Sequence, residues 1–160
     1  MVSSIHQVSK DMTPAEVAHI LRRDGAVIIE NAISEVTLIG MNDELNKIIA
    51  NTAPGLRHPT SDFFEEFYGK HTIRIDGIAA KSQTFLEVLQ HPLMNGLAEE
   101  LLLPNCEDYL LNTAQLIQIG PGETSQAIHR DEDAWSYFKN PKPLLEVEAM
   151  FALSDFTKEN

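Results

Sequence analysis

Apolar residues recur at helical spacing through the first part of the chain and alternate with polar ones in the last, so helices are expected first and strands after. Thr13-Pro14-Ala15-Glu16 has the form of a capping box with proline at the first helical position, and Val17, Ile20 and Leu21 follow on one face. This predicts a short helix ending near Asp24-Gly25. Ala26-Val27-Ile28-Ile29 is a β-branched apolar run bounded by Gly25 and Glu30-Asn31, the pattern of a buried strand. Ser34 opens a second helix, with Leu38, Met41, Leu45, Ile48 and Ile49 on one face and Asp43, Glu44 and Lys47 outside it.

From 51 to 70 the periodicity lapses, and Pro54-Gly55, Pro59 and the aromatics Phe63, Phe64, Phe67 and Tyr68 suggest a long loop. The equal alternative is a short amphipathic helix docked on the core. Residues 71–76 alternate like a strand, while 82–89 and 92–103 read as helices, Pro92 standing at a first helical position. Residues 108–120 form the longest strand candidate, with both faces apolar enough to be buried. Leu145, Val147, Ala149, Phe151 and Leu153 alternate against Glu146 and Glu148, a strand with one apolar face. The fold class is α+β, with a sheet built mainly from the C-terminal part. Residues 151–160 read as a strand entering a turn, so the fold is expected to be incomplete at Asn160.

Composition narrows the function classes. The chain has 160 residues, 43% of them hydrophobic, with 8 Gly and 8 Pro, which excludes disordered, collagen-like and disulfide-scaffold classes and suits one domain. Its formal net charge of -12 repels phosphate backbones and anionic lipid, so neither nucleic acid nor membrane is an expected partner. Cys106 is the single cysteine, the N-terminus lacks a basic and an apolar signal region, and no apolar run approaches a membrane span. The expected location is cytoplasmic.

Candidate chemistry lies in the segment from Pro121-Gly122 to Trp135, where His129 and Asp131 stand two residues apart. In extended backbone, i and i+2 project to one face, so an imidazole nitrogen and a carboxylate oxygen can converge on one cation. Non-haem Fe(II) oxygenases use two His and one carboxylate on one face of an octahedron, and His-x-Asp supplies two of the three. The spacing alone is a weak signal. Its context strengthens it: a Pro-Gly turn after an apolar run, Gln126 three residues before the His, and Arg130 between the two candidates.

Gln126-Ala127-Ile128-His129-Arg130-Asp131, followed by Phe151-Ala152-Leu153-Ser154-Asp155-Phe156-Thr157-Lys158-Glu159-Asn160, resembles the phytanoyl-CoA dioxygenase-like superfamily of Fe(II)/2-oxoglutarate oxygenases. The similarity is closest to the branch of fungal meroterpenoid and alkaloid dioxygenases, and Asp24-Gly25-Ala26-Val27-Ile28-Ile29-Glu30-Asn31 and Thr72-Ile73-Arg74 also match its pattern. The resemblance implies that His129 and Asp131 ligate iron and that Arg74 and Gln126 bind 2-oxoglutarate, a dicarboxylate that needs a cation and hydrogen-bond donors. The readings without chemistry are a strand arginine paired with a carboxylate for Arg74 and a loop amide satisfying local backbone for Gln126. His58 and His71 are read as surface or packing histidines. Members of the superfamily continue past Glu-Asn with a distal iron-binding His and an Arg for the far carboxylate of 2-oxoglutarate, both of which would lie beyond Asn160.

The implied fold is a double-stranded β-helix of the jelly-roll or cupin type. Residues 1–160 would form a single, incomplete oxygenase domain, with 1–107 a mainly helical scaffold and 108–160 the first barrel strands carrying His-x-Asp. The implied activity is oxidation of a small organic substrate by dioxygen in secondary metabolism, by hydroxylation, desaturation or a related reaction, with 2-oxoglutarate giving succinate and CO2. Residues 61–68 could cover an apolar substrate. The alternative is a non-catalytic fragment or paralogue that serves as a binding or subunit-association module, with a homodimer joined through exposed strand edges as its assembly.

Overall fold

The computed structural model of the protein describes residues 5–157. Met1 to Ser4 of the N-terminus, and Lys158, Glu159 and Asn160 of the motif above, lie outside the described residues. The elements are β1 (His6–Ser9), α1 (Pro14–Asp24), β2 (Val27–Glu30), α2 (Glu35–Ile49), α3 (Asp62–Tyr68), β3 (Thr72–Asp76), α4 (Gln83–Leu89), α5 (Pro92–Leu102) and β4 (Gln115–Ile119), with 3-10 turns at Ile78–Ala80 and Asp131–Ala134. The class is α+β. Strands are not confined to the C-terminal part, because β1 and β2 pair in parallel, His6 opposite Val27 and Ser9 opposite Glu30.

The helix termini follow the local chemistry read from the sequence. Thr13 is extended, its hydroxyl accepts from Glu16 N at 3.3 Å, and the Glu16 carboxylate accepts from Thr13 N at 2.9 Å. Gly25 closes α1 in the left-handed conformation, φ 81°, donating to Leu21 O. Ser34 caps α2 and Ser82 caps α4, accepting from Thr37 N and Phe85 N. Glu44 departs from its expected place outside α2. Its carboxylate accepts from Thr84 N at 3.2 Å and Thr84 Oγ1 at 2.9 Å, which fastens the start of α4 to α2. Gly40 permits this approach, since a Cβ there would press on the Thr84 side chain. Ser82 is 2% exposed, so Ser82→Ala removes a buried cap and is expected to cost about 1–2 kcal/mol, read as a lower urea midpoint with unchanged slope.

Two cores result. Val17 and Ala18 of α1 pack with Leu93, Leu97 and Leu101 of α5 and with Val8 of β1. The Arg22 guanidinium donates to Glu100 O across the same pair of helices. The second core joins Met41 and Leu45 of α2, Ile75 of β3, Ile78 of the 3-10 turn after it, Phe85 and Val88 of α4, and Leu116 of β4. The run expected as a buried strand, β2, is only half-buried: Val27 and Ile29 face the first core, whereas Ile28 is 43% exposed. Among the described residues β1 is its one ladder partner, so one edge of β2 is unpaired.

β3 and β4 are antiparallel, Thr72 opposite Ile119 and Asp76 opposite Gln115. The strand expected over 108–120 is therefore ladder-bonded only in its second half, and Leu110, at 88% exposed, contradicts the expectation of two buried faces. The strand expected over 145–153 is likewise absent as a ladder among the described residues. Its alternation is nevertheless real: Val147 packs on the first core, Phe151 and Leu153 on the second, and Asn42 Nδ2 holds Leu153 O at 3.1 Å. Apolar alternation sets which way side chains point; a strand also needs a backbone neighbour in register. Among the described residues the four strands form two separate pairs and not the facing sheets of a barrel.

The segment 51–70 contains α3 and so follows the helical alternative to the loop. It does not dock on the core: Phe63 is 63% and Phe64 45% exposed, and no α3 residue is buried. Among the described residues no helix is long and apolar enough to cross a membrane.

Candidate metal centre

The segment that carries His129 and Asp131 leaves β4 through a turn at Pro121-Gly122, where Gly122 adopts φ 84°, a value that disfavours other residues. Glu123 then anchors the segment. Its carboxylate accepts from Thr124 N at 3.0 Å, Thr72 Oγ1 at 2.8 Å and His71 N at 2.7 Å, joining the turn to the start of β3. These donors, Thr124 N–H first and the Thr72 hydroxyl next, pull the Glu123 carboxyl down to about 2 from its ordinary 4.5.

This depression has a consequence for acid stability. The folded carboxyl binds fewer protons than the unfolded one between pH 4.5 and about 2, so its contribution is complete above that window and fades as pH falls through it. Asp24, held near 2 chiefly by the Arg23 guanidinium, contributes in the same range. Glu123→Gln is therefore expected to flatten, without abolishing, the fall of the urea midpoint between about pH 5 and pH 3. Parallel profiles for the wild type and the variant would contradict the anchor role.

Beyond the anchor, residues 124–130 join no helix and no ladder, and Arg130, between the two candidates, is extended. Gln126 Nε2 donates to Phe67 O at 2.7 Å, pinning the segment to the last turn of α3. One ring nitrogen of His129, Nδ1, lies 2.7 Å from Ala127 O. A carbonyl offers only lone pairs, so Nδ1 carries a hydrogen and Nε2 is the nitrogen that can donate an electron pair when no proton occupies it. Nε2 stands 3.2 Å from Asp131 Oδ1, where the 3-10 turn Asp131–Ala134 begins.

Two donors bound to one cation at about 2.1 Å and at a right angle are about 3 Å apart. The observed separation suits adjacent positions on an octahedral ion. It also demands a positive charge, because an imidazole lone pair and a carboxylate at this distance repel unless a proton or a metal ion lies between them. The Nδ1–H···O=C bond is the outer contact that metal-binding histidines commonly make. His129 and Asp131 side chains are 37% and 50% exposed, leaving the pair open on one side. The donor set therefore fits a divalent metal. Among the described residues no group of three or more His, Cys, Asp or Glu forms a metal-holding cluster.

Of the other expected residues, the structure brings Gln126 beside His129 through Phe67, and Arg74 to the next residue of the same helix turn. Arg74 Nε donates to Tyr68 O at 3.2 Å, its guanidinium lies 5.1 Å from the Tyr68 ring centre, and Nη1 donates to Gln115 at 2.8 Å. Among the described residues Arg74 forms no ion pair, so its charge is not spent on a carboxylate, and no hydrogen bond links it to His129 or Asp131. Gln126 does satisfy a backbone carbonyl, as the loop-amide alternative has it, although that carbonyl is distant in sequence. His58 and His71 are exposed.

Two groups near the pair escaped the sequence reading. Burial first, and the Asp131 and Glu146 charges next, push the Glu148 carboxyl up, while His129 opposes them. Glu146 accepts from Asn112 Nδ2 at 3.1 Å and keeps its Oε2 buried and without a partner among the described residues. Alternation placed both glutamates opposite the apolar face of 145–153, and that face packs on the helices. Of the two, Glu148 senses the charges of Asp131 and His129, and its place opposite the apolar face was legible from the pattern itself. Phe67 was legible only as part of an aromatic group; its ring meets the His129 ring at 4.9 Å and 65°.

The model of the family described as Phytanoyl-CoA dioxygenase (PhyH) matches residues 21–160, a span that includes all of these side chains. Among fungal relatives, Dioxygenase olcK of Penicillium canescens is 33% identical over 149 residues, covering 91% of this chain and 49% of that protein. Dioxygenase aneA of Aspergillus aculeatus is 32% identical over 163 residues, covering 99% and 54%. Dioxygenase trt7 of Aspergillus terreus is 28% identical, covering 98% and 55%. The chain spans about half the length of the curated relatives it matches.

Proposed function

The chain belongs to the phytanoyl-CoA dioxygenase family, and from that premise we propose that it serves an Fe(II)- and 2-oxoglutarate-dependent dioxygenase that oxidises a small organic substrate with dioxygen. Residues 1–160 are read as one domain, in which 1–107 form the scaffold and 108–160 contribute strands to a double-stranded β-helix. The observation that carries the reading is the His129–Asp131 geometry: Nδ1–H committed to Ala127 O, and Nε2 directed to within 3.2 Å of the carboxylate.

His129 Nε2 and one Asp131 oxygen would hold the iron. Bound iron would supply the activation of dioxygen, which is the oxidant, and 2-oxoglutarate would give two of the four electrons that dioxygen takes as it goes to succinate and CO2, the substrate giving the other two. The chain's own share is orientation and charge. Ala127 O takes the Nδ1 hydrogen, so the ring turns Nε2 toward the metal. Gln126 keeps one amide hydrogen beyond its bond to Phe67 O for an oxyanion, and the Arg74 guanidinium, in no ion pair among the described residues, supplies a cation for a dicarboxylate. Exposed Phe63 and Phe64 on α3 give an apolar cover that can exclude water from a small organic substrate. The relatives' names support dioxygenase chemistry, and secondary metabolism is the setting we propose for it. The net charge of -12 argues against nucleic acid and anionic membrane as partners, and a cytoplasmic location accords with this reading.

Anaerobic titration of the chain with Fe(II) and then 2-oxoglutarate tests the proposal. The expected result is a visible charge-transfer absorption that requires both additions. No such absorption, with the chain folded by circular dichroism, would overturn it.

A further inference from the structure

We infer that Phe67 is a positioning residue for His129, acting through ring contact and backbone together to aim Nε2 at the metal. Phe67 holds the segment at two points three residues apart. Its carbonyl accepts from Gln126 Nε2 at 2.7 Å, and its ring packs edge-on against the His129 ring at 4.9 Å and 65°. The segment has no sheet ladder to orient it, and the Nδ1–H···O=C bond to Ala127 fixes only one corner of the imidazole. A bond at one corner leaves the tilt of the ring plane free; a ring edge against its face removes that freedom.

Phe67 is itself braced. Phe63 stacks on it at 5.9 Å and 21°, and the Tyr68 ring stands at 6.0 Å on the other side. Tyr68 also receives Arg74, so one turn of a seven-residue helix, itself capped at Ser61, aligns the ligand and both candidate co-substrate contacts. The sequence separates Phe67 from His129 by the whole of β3, α4, α5 and β4, and β3–β4 pairing brings them together. α3 packs on no core, yet Phe63 and Phe67 form a stack that ends on the His129 ring. That arrangement accounts for an otherwise unsupported aromatic helix.

The inference rests on His129 being a metal ligand, and its test separates the two claims. The His129 side chain is labelled with 13C and 15N in the chain and in its Phe67→Ala, Phe67→Leu and Phe67→Trp variants, and its ring orientation is read without metal from three-bond couplings. Wild type and Phe67→Trp are expected to hold one orientation; Phe67→Ala and Phe67→Leu, the latter keeping bulk but no ring, are expected to average several. Co(II) affinity, measured by its visible absorption, is expected to fall on the order of tenfold in the alanine and leucine variants and to return toward the wild-type value with tryptophan. Wild-type couplings or wild-type affinity in Phe67→Leu would overturn the inference, even if Phe67→Ala fails to fold. A single ring orientation in a wild-type chain that binds no Co(II) would instead overturn the metal reading and leave the orienting role of Phe67 standing.

Discussion

His129→Ala is expected to eliminate the Fe(II)/2-oxoglutarate absorption and any iron-dependent succinate release, and Asp131→Ala to do the same. The two side chains supply the donors whose 3.2 Å separation defines the centre, so neither can be lost without leaving the other as a lone exposed ligand. The loss of metal affinity should exceed the roughly 10- to 100-fold that follows removal of an outer partner. His58→Ala is the matched control, because that ring is exposed and lies in the segment before α3. Its titration should overlay the wild type. Calorimetry with Fe(II) under argon checks the binding half independently of any chemistry. Retained affinity in both site variants would remove His129 and Asp131 from the centre, whatever the family does elsewhere. Asp131→Asn refines the result: it keeps shape and one oxygen but removes the charge that balances the cation, so affinity should fall between the wild type and Asp131→Ala.

The parts of this molecule legible from sequence are those decided locally. Thr13, Ser34 and Ser82 cap their helices because a hydroxyl and the amides it must satisfy lie three residues apart. His129 and Asp131 share a face because i and i+2 do so in extended backbone. What was misjudged depends on distant partners. Residues 108–114 and 145–153 have strand-like alternation, but alternation reports side-chain direction and is silent on whether a neighbour completes the ladder. β1 was missed for the opposite reason: in four residues only Val8 is buried, too short a stretch for any period to register. Glu44 was placed outside α2, whereas its carboxylate ties α2 to α4, and alternation set Glu146 and Glu148 opposite an apolar face without revealing that Glu148 senses the Asp131 and His129 charges.

The largest loss of stability is expected from Leu45→Ala. Leu45 is 1% exposed at the middle of α2, and with Met41 it meets Ile75 of β3, Leu116 of β4 and the α4 residues Phe85 and Val88. Truncating a leucine in such a site typically costs about 2–5 kcal/mol, transfer energy plus the cavity left behind. Against a total of about 5–15 kcal/mol for an ordinary domain, that removes a large fraction of the folded state's margin. Val36, on the same helix and 80% exposed, offers the comparison, since its replacement by alanine should change stability by less than about 0.5 kcal/mol. Urea unfolding followed by circular dichroism measures both. The consequence reaches the candidate site because the face of β3 that packs on Leu45 through Ile75 belongs to the strand that presents Arg74. Below the unfolding transition, Leu45→Ala should therefore also weaken 2-oxoglutarate binding more than Fe(II) binding, since the His129–Asp131 pair is held by Phe67, Ala127 and Glu123 and not by that core. Equal losses of both would mean that the second core supports the metal pair directly.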